Sequence, residues 1–460
     1  MAKDLRYFLE KVKNELPDDY IEVTRSVDPN NFDITAILEH LTKQNKFPLV
    51  LFKNPKNLKG EDTEIPVVSN VFAKRERCAL ALDWPVDQSN LPLSLEYARL
   101  EREIIPPVEI GKEQAPVKEI ILRGPEADPA ILPGVRHYEM DLSPVFTMTL
   151  IMKDPDTGIY DITFAKTFYK GSQRMGASIH TPHLERIVNK YKERNEPAPV
   201  VQVLGHHPAF YLGSLALSPY DADDYASVGS FLREPLRLVE SETWGKDFLV
   251  PADAEIIIEG EVLPGEKEIV DPFGEVTRHY QAQCIRQAVN VTAITRRKNA
   301  IMQDIFSGHE GHWNLGALPK EGSVFNAVNS RYGNVKAVHL PHSGIGRLAC
   351  YISIDKKREG DAKIAGLAAL LESWTFQVVV VVDDDIDVFN EKEVVWAILT
   401  MVDPKRDITM VENVHTVFTT AMGHNKMIID ATKPLDRAFP ERFRIPESAM
   451  QRIKLDEWIK

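Results

Sequence analysis

The chain has 460 residues and a mass of 52.0 kDa, which is too much for one ordinary hydrophobic core and predicts two to four domains. Hydrophobic residues make up 43% and charged residues 27%, a globular composition that excludes a disordered chain, a collagen-like fibre and a coiled coil. The 55 basic and 68 acidic residues give a net charge of −13, so neither nucleic acid nor a membrane surface is an expected partner.

Cysteine usage and the N-terminus predict a cytoplasmic protein. Cys78, Cys284 and Cys350 are far apart and odd in number, which is not the pattern of a disulfide scaffold or a zinc site. The first residues lack the apolar segment of a signal peptide. The longest aliphatic run, 378–382, is far shorter than the ~20 residues that span a bilayer.

The first stretch is predicted to be an α/β region. Apolar residues at helical spacing predict a helix over 5–16 with Asp4 as its N-cap, and a second helix over 34–41. Short apolar runs predict strands at 48–52 and 66–71. The proline-rich, charged segment 84–118 is expected to be a connector that crosses the surface between domains.

From about residue 119 the pattern favours strands, followed later by alternating strands and helices. Strands are predicted at 145–152, 160–168, 200–204, 254–263 and 280–295, with a turn at 154–158 and one helix at 183–193. This set fits a closed or split β-barrel. The C-terminal part predicts a parallel α/β sheet and a terminal amphipathic helix, with strands at 337–340, 349–354, 377–382 and 408–411 and helices at 361–374, 391–401 and 446–459.

A set of motifs in a fixed order resembles the UbiD-type decarboxylases, which use prenylated FMN. These motifs span nearly the whole chain: 4–8, 155–166, 171–176, 181–187, 218–229, 254–260, 271–275, 380–387, 395–396, 411–413 and 426–432. The resemblance implies a multidomain α+β and α/β fold. Its parts would be an N-terminal α/β region (1–115), a central split β-barrel that binds the flavin (116–318) and a C-terminal α/β oligomerisation domain (319–460). It also implies a homodimer or homohexamer.

The resemblance implies a metal site that holds the flavin phosphate. The family uses a divalent ion, usually Mn²⁺, with K⁺ beside it, and its ligands are typically Asn, His and Glu. The matching positions here are Asp161, His183 and Asp224. Two carboxylates and an imidazole suit Mn²⁺, although each residue alone has an ordinary explanation, such as capping a turn or a helix.

Further cofactor contacts follow from the same resemblance. Lys426 matches a lysine that pairs with the flavin phosphate, although an ordinary lysine beside a strand would have the same pattern. The stretch that lies along the isoalloxazine ring matches Thr163, Phe164 and Ala165. Pro182, next to His183, falls within the cofactor-binding motif.

The acid–base residues depart from the family pattern of Glu–Arg–Glu. The arginine position holds Lys166, the first glutamate position holds Val270 with Asp271 beside it, and only the second glutamate is retained, as Glu275. Lysine offers one hydrated charge where arginine offers a planar fork, so Lys166 is expected to orient the substrate or tune Glu275. Glu310 and His312 are candidate substrate-pocket groups, or alternatively part of a hydrogen-bonded loop cluster.

The implied activity is reversible, non-oxidative decarboxylation of an aromatic or conjugated acid, or of its CoA thioester, with Glu275 as proton donor. The expected partners are a small aromatic acid, CO₂ and a protein that supplies prenylated flavin. Three alternatives stay open: a carboxylase of a phenol or arene, a partner-dependent subunit with a reduced acid–base network, and an electron carrier that uses ordinary FMN.

Overall fold

The computed structural model describes residues 3–415 and 425–459. Its sheets fall into an N-terminal, a central and a C-terminal region, which confirms the predicted multidomain fold with a sheet-rich centre. Within the described residues, no helix is both long enough and apolar enough to cross a membrane.

The N-terminal region is a small mixed sheet with helices packed against it. The predicted first helix is present, and the Asp4 carboxylate accepts a hydrogen bond from the Tyr7 amide as its N-cap. Strands β1 and β2 are parallel, β2 and β3 are antiparallel, and β18, from far along the chain, pairs with β3. The elements are α1 (Leu5–Glu15), β1 (Tyr20–Val27), α2 (Asp33–Lys43), β2 (Leu49–Pro55), β3 (Val67–Ser69), α3 (Arg75–Ala81), α4 (Leu91–Leu100) and β18 (Met302–Gln303).

The prediction of a surface connector over 84–118 was wrong at its centre, because α4 lies inside it. Leu93 and Tyr97 on this helix are fully buried, and the Tyr97 hydroxyl donates to the Leu212 carbonyl oxygen at 2.6 Å. Pro92 lies in the first turn of the helix, where a missing amide proton costs nothing. The prolines of this segment therefore lie both in loops and at the start of a buried helix.

The central region is an open sheet with the strand order β6-β9-β10-β17-β14-β11-β7-β8, and β5 pairs with β17. A three-stranded sheet (β13-β12-β4) and a two-stranded hairpin (β15 and β16) accompany it. The strands are β4 (Val108–Glu109), β5 (Ile120–Arg123), β6 (Val145–Phe146), β7 (Thr149–Lys153), β8 (Tyr160–Phe164), β9 (Thr167–Gly171), β10 (Arg174–Ala177), β11 (Ala198–Val203), β12 (Arg237–Ser241), β13 (Gly245–Pro251), β14 (Ile256–Val270), β15 (Phe273–Gly274), β16 (Tyr280–Gln281) and β17 (Cys284–Arg296). Its helices are α5 (Pro182–Glu193), α6 (Pro208–Gly213) and α7 (Asp224–Leu232).

The strand predicted at 160–168 is interrupted, and the interruption positions the site. Strand β8 ends one edge of the sheet, whereas β9 lies near the opposite edge. The two residues between them, Ala165 and Lys166, therefore cross the seam of the split barrel. The Ala165 amide still donates to the Met148 carbonyl oxygen at 3.3 Å.

Helix α8 (Glu310–Tyr332) leads from the central to the C-terminal region, and the sequence analysis did not predict it. It is 23 residues long, or about 34 Å, and the proposed domain boundary at 318/319 falls inside it. At Gly322 it packs closely on α4, because a Cβ there would lie 2.2 Å from the Ser94 carbonyl oxygen. Glycine is therefore required at this crossing of the two helices.

The C-terminal sheet has the order β19-β20-β21-β23-β22 and is mixed rather than fully parallel. Its three central strands are parallel, and both edge strands are antiparallel to their neighbours, which corrects the prediction. The single terminal helix was also wrong, since two short helices replace it. The elements are β19 (Val335–His339), β20 (Ala349–Ile354), α9 (Asp361–Glu372), β21 (Val378–Asp383), α10 (Glu391–Met401), α11 (Pro404–Asp407), β22 (Ile408–Val411), β23 (Lys426–Ala431), α12 (Glu447–Arg452) and α13 (Leu455–Trp458).

Candidate active site

Asp161 and His183 are in direct contact. Asp161 lies on β8, and His183 is the second residue of α5. His183 Nδ1 and Asp161 Oδ2 are 2.8 Å apart. Burial raises the pKa of Asp161, and the neighbouring His183 partly opposes that rise. The structure thus brings together two of the three predicted metal ligands.

Asp224 approaches the same place from the start of α7. It is 8% exposed, and its Oδ2 accepts a hydrogen bond from the Ile162 amide at 2.8 Å. Burial raises the pKa of Asp224 well above its ordinary value, and the Asp161 carboxylate raises it further. A buried carboxylate whose charge is disfavoured by a second, neighbouring carboxylate suits a bound cation. In residues 3–415 and 425–459, however, no three His, Cys, Asp or Glu side chains already form a metal-binding group.

The N-terminus of α5 provides an anion-binding end beside these carboxylates. Thr181 is the N-cap residue, but its hydroxyl caps no amide and is buried without a hydrogen-bond partner. Pro182 occupies the first turn. Unpaired amides at a helix start favour a phosphate, and the orphaned Thr181 hydroxyl adds a donor. The residues present therefore fit a phosphate bridged by a cation.

The other predicted cofactor residues are placed differently. Thr163 is partly exposed on the same face of β8 as Asp161, whereas the Phe164 ring turns away and packs 5.8 Å from the Tyr211 ring. Ala165 is buried at the seam. Lys426 is 1% exposed, and its ammonium donates to the Trp374 carbonyl oxygen at 2.5 Å. Its described contact thus lies within the C-terminal region.

Lys166 and Glu275 meet at the seam of the split barrel. Lys166 Nζ is 3.3 Å from Glu275 Oε2 and 4.7 Å from the centre of the Phe273 ring. Glu275 follows β15 in the hairpin, where its amide donates to the His279 carbonyl oxygen at 2.9 Å. The Glu275 side chain is 26% exposed, so water can reach it. The pair is therefore held in place and open to proton exchange.

Asp271 does not replace the missing glutamate. The Val270 side chain is fully buried in an apolar cluster with Val145, Phe168 and Phe273. Asp271 turns elsewhere and accepts hydrogen bonds from Lys170 Nζ and Ser143 Oγ, both at 2.5 Å. Glu275 is the carboxylate of the family pattern that contacts Lys166 in this structure.

Glu310 and His312 face different surroundings, although both lie in the first turn of α8. Burial would raise the pKa of Glu310, but the influences that lower it, led by the His309 ring 3.0 Å away, together outweigh burial. The pKa of His312 is well below its ordinary value because the ring is buried and lies near the charges of Arg347 and Lys166. His312 Nδ1 accepts the Gly308 amide at 3.2 Å, so the neutral ring carries its proton on Nε2. His312, rather than Glu310, belongs with Lys166.

Arg347 is the residue of this cluster that the sequence analysis missed. It follows the turn Gly344–Gly346 before β20, and the charge of Glu275 acts on its guanidinium. No spacing in the sequence links position 347 to position 166. The signal that could have flagged it is an arginine in a glycine-rich turn directly before a buried strand.

A cavity of about 530 Å³ lies beside the hairpin. It opens between α2 and the hairpin, and its size is in the range of small-molecule sites. Its wall includes Tyr138, whose ring occupies the space beside Gly274, and Arg278. The residue next to Glu275 therefore borders room for a small molecule.

Three family models match consecutive parts of the chain. They describe 3-octaprenyl-4-hydroxybenzoate carboxy-lyase: its N-terminal domain at residues 14–92, its Rift-related domain at 108–310 and its C-terminal domain at 314–431. The chain belongs to this family, the UbiD carboxy-lyases. The predicted family membership and enzyme class are confirmed.

Individual UbiD relatives match along nearly their whole length. The anhydromevalonate phosphate decarboxylase of Methanothermobacter thermautotrophicus is 31% identical over 450 residues, which cover 96% of this chain and 99% of that protein. An evolved dimeric form of the UbiD-class enzyme HmfF from Pelotomaculum thermopropionicum, solved with prFMN, is 33% identical, with a TM-score of 0.88 and complete coverage of both chains. Vanillic acid decarboxylase from Sedimentibacter hydroxybenzoicus is 26% identical, and its open and closed forms give TM-scores of 0.83 and 0.78 with coverage of 100% of this chain and 99% of that chain.

Proposed function

We propose that this UbiD-family enzyme is a non-oxidative decarboxylase of an aromatic or conjugated carboxylic acid, with prenylated FMN as cofactor and Glu275 as proton donor. The observation that carries the proposal is the Lys166–Glu275 pair at the barrel seam, in a chain that matches the family from residue 14 to residue 431. UbiD-class relatives named for decarboxylation, and a similar structure with bound prFMN, support it.

The residues that would hold the cofactor phosphate are Asp161, His183 and Asp224 through a divalent metal such as Mn²⁺, with K⁺ beside it. The start of α5, with Thr181 and Pro182, adds amide and hydroxyl donors. When bound, prenylated FMN supplies an electron sink for the pair left by the departing CO₂. A separate protein would supply the prenylated flavin.

Glu275 and Lys166 supply the proton chemistry. As CO₂ leaves, Glu275 gives its proton to the substrate carbon to which the carboxylate was attached. Glu275 then takes another proton from water, which can reach its partly exposed side chain. Lys166 holds the Glu275 carboxyl in position and faces the incoming acid. In the reverse direction Glu275 removes the proton, so the same residues support carboxylation of an arene or phenol.

A second candidate is a partner-dependent subunit with a reduced acid–base network. Val270 and Asp271 favour this candidate, because neither supplies the first glutamate of the family pattern. Val270 lies in an apolar cluster, and the Asp271 carboxylate accepts a hydrogen bond from Lys170. The Lys166–Glu275 contact favours the catalytic proposal instead, because a subunit without chemistry needs no solvent-accessible acid beside a lysine.

Exposed apolar side chains support the proposed homodimer or homohexamer. Leu371 on α9 is 82% exposed and Leu399 on α10 is 79% exposed, both in the C-terminal region. Side chains of this size favour burial between subunits. Light scattering of the purified protein, expected to give two or six copies, tests this assembly.

The test of the function is ¹³C-bicarbonate exchange into a panel of aromatic acids, using protein produced together with a prenylated-flavin supplier. We expect exchange and a flavin absorption band in the wild type. Glu275→Gln should retain the band but lose about 10²–10⁴-fold in rate. Glu113→Gln, at an exposed position, is the matched control and should behave as wild type. Unchanged exchange in Glu275→Gln would refute the role of Glu275, and a colourless wild type would favour the subunit.

A further inference from the structure

Arg347 is a half-buried guanidinium without a carboxylate partner in the described parts of the chain. Its Nη1 donates to the carbonyl oxygens of His312 at 3.3 Å and Ile345 at 3.4 Å. No Asp or Glu side chain among residues 3–415 and 425–459 lies within ion-pair distance of it, and the sequence of 416–424 contains neither residue type. Burial lowers the pKa of Arg347 to about 10, so it stays charged at neutral pH.

Glycine at position 316 makes room for this guanidinium on α8. A Cβ on Gly316 would lie 2.3 Å from Arg347 Cζ, so a larger residue would displace it. His312 lies one helical turn before Gly316, and Lys320 lies one turn after it on the same face. Burial lowers the pKa of Lys320, and with the added effect of the positive charge on Arg347 the value is about 8. The face of α8 beside the Lys166–Glu275 pair is thus lined by positive charge.

The charges at this end of the site do not cancel. Lys166 is balanced by Glu275, but Arg347 has no counterion and Lys320 adds a further positive charge. A buried charge without a partner is costly, and this protein has a net charge of −13, so general basicity does not explain the excess. An anionic ligand would supply the missing counter-charge.

The reacting carboxylate is a poor choice for that counterion. Its negative charge disappears as CO₂ forms, so an arginine clamped to it would stabilise the ground state more than the transition state. A group that keeps its charge throughout the reaction has no such penalty. Arg347 also lies against α8, where it donates to the His312 carbonyl oxygen and covers Gly316.

We propose that the substrate of this enzyme carries a second, non-reacting anionic group, a carboxylate or a phosphate, that binds the Arg347 guanidinium. This inference rests on the proposed function and names the substrate class of the same site. Neutral His312, with its proton on Nε2, adds a donor to the same group. Arginine suits it because its fork meets two oxygens of a carboxylate or phosphate.

The test measures binding to the holoenzyme by calorimetry, independently of turnover. The probes are benzoate, the three benzene dicarboxylates and 4-(phosphonooxy)benzoate. We expect at least one of the doubly charged probes to bind about 100-fold more tightly than benzoate. If a dicarboxylate binds most tightly, the second group is a carboxylate; if 4-(phosphonooxy)benzoate does, it is a phosphate. Equal affinity of all probes in the wild type would overturn the inference.

Variants assign the preference to Arg347. Arg347→Gln should bring the dianion affinity to within a few-fold of benzoate, and Arg347→Lys should retain part of the preference. Arg331→Gln, an exposed arginine at the end of α8, is the matched control. An undiminished preference in Arg347→Gln overturns the inference. If the wild type prefers dianions but shows no bicarbonate exchange, the proposed function is contradicted and the inference about the second anionic group is not.

Discussion

The two ends of strand β8 carry opposite excess charge. At its start, Asp161 lies with His183 and Asp224, two buried carboxylates whose pKa values are raised. Just past its end, Lys166 lies near Glu275 and the unpaired Arg347. Five positions, at most about 17 Å of extended chain, separate the two groups. One end therefore suits a cation and the other an anion.

This difference shows why net charge says little about a site. An overall charge of −13 describes the surface, which argues against nucleic acid, but an acidic protein can still present a positive pocket to a small acid. At the acidic end the same reasoning favours a cation between the carboxylates and a phosphate. The opposition of the two ends supports the proposal of a metal-bound cofactor phosphate at one end and an acidic substrate at the other.

The largest expected effect comes from removing the acidic end. The double change Asp161→Ala and Asp224→Ala should abolish metal and flavin binding and reduce activity at least about 1,000-fold, since the cofactor performs the chemistry. Metal analysis and the flavin absorbance of the purified protein measure this. Asp161→Asn should retain metal, because an amide oxygen can still be a ligand. Full metal and flavin content in the double variant would contradict this account of the acidic end.

An intermediate effect is expected when a second carboxylate is placed near the basic end. Val270→Glu restores the family residue type but puts a charge into an apolar cluster, so the free energy of unfolding should fall by about 3–5 kcal/mol. Ile269→Glu, on the adjacent and 49% exposed side chain, is the control and should change it by less than about 0.5 kcal/mol. Chemical denaturation of both variants compares them. A stable, more active Val270→Glu enzyme would show that the cluster tolerates the family network.

The smallest expected effect is on the protonation of His312. Arg347→Gln should raise the pKa of His312, because a positive neighbour is removed, although burial keeps it below the ordinary value of 6.5. Since folding lowers this pKa, the contribution of His312 to stability is present above pH 6.5 and is lost as the pH falls. NMR titration of labelled histidine measures the shift, with Arg331→Gln as control. A lowered or unchanged pKa in Arg347→Gln would mean that the two side chains do not interact.

The fold was predictable where local pattern and tertiary packing agree. The helix at 5–16 and the split-barrel strands follow from period and apolar content. Helix α8 was not predictable in this way, because Gly311, Gly316, Gly322 and Pro319 argue against a helix. Gly322 and Gly316 are explained by the close approach of α4 and of Arg347, contacts that no local pattern reveals.

The residues of the candidate site that lie in sequence motifs were predictable. Asp161, His183 and Asp224 come from three separate motifs, and the structure brings them into one neighbourhood. Glu275 and Lys166 meet as the family pattern implies. The partner of Asp271 was not predictable, since its displacement by one position turns its side chain toward Lys170.

The sequence by itself determined the family, the enzyme class and the residue types at each motif position, because these depend on order and spacing along the chain. Only the tertiary structure decided that Lys166 lies at the barrel seam and that Arg347, 181 positions later, lies close enough for Glu275 to act on it. The physical reason is that folding of the central sheet and packing of α8 bring distant residues together. Contacts of that kind depend on the whole core, and no local pattern of polarity or periodicity encodes them.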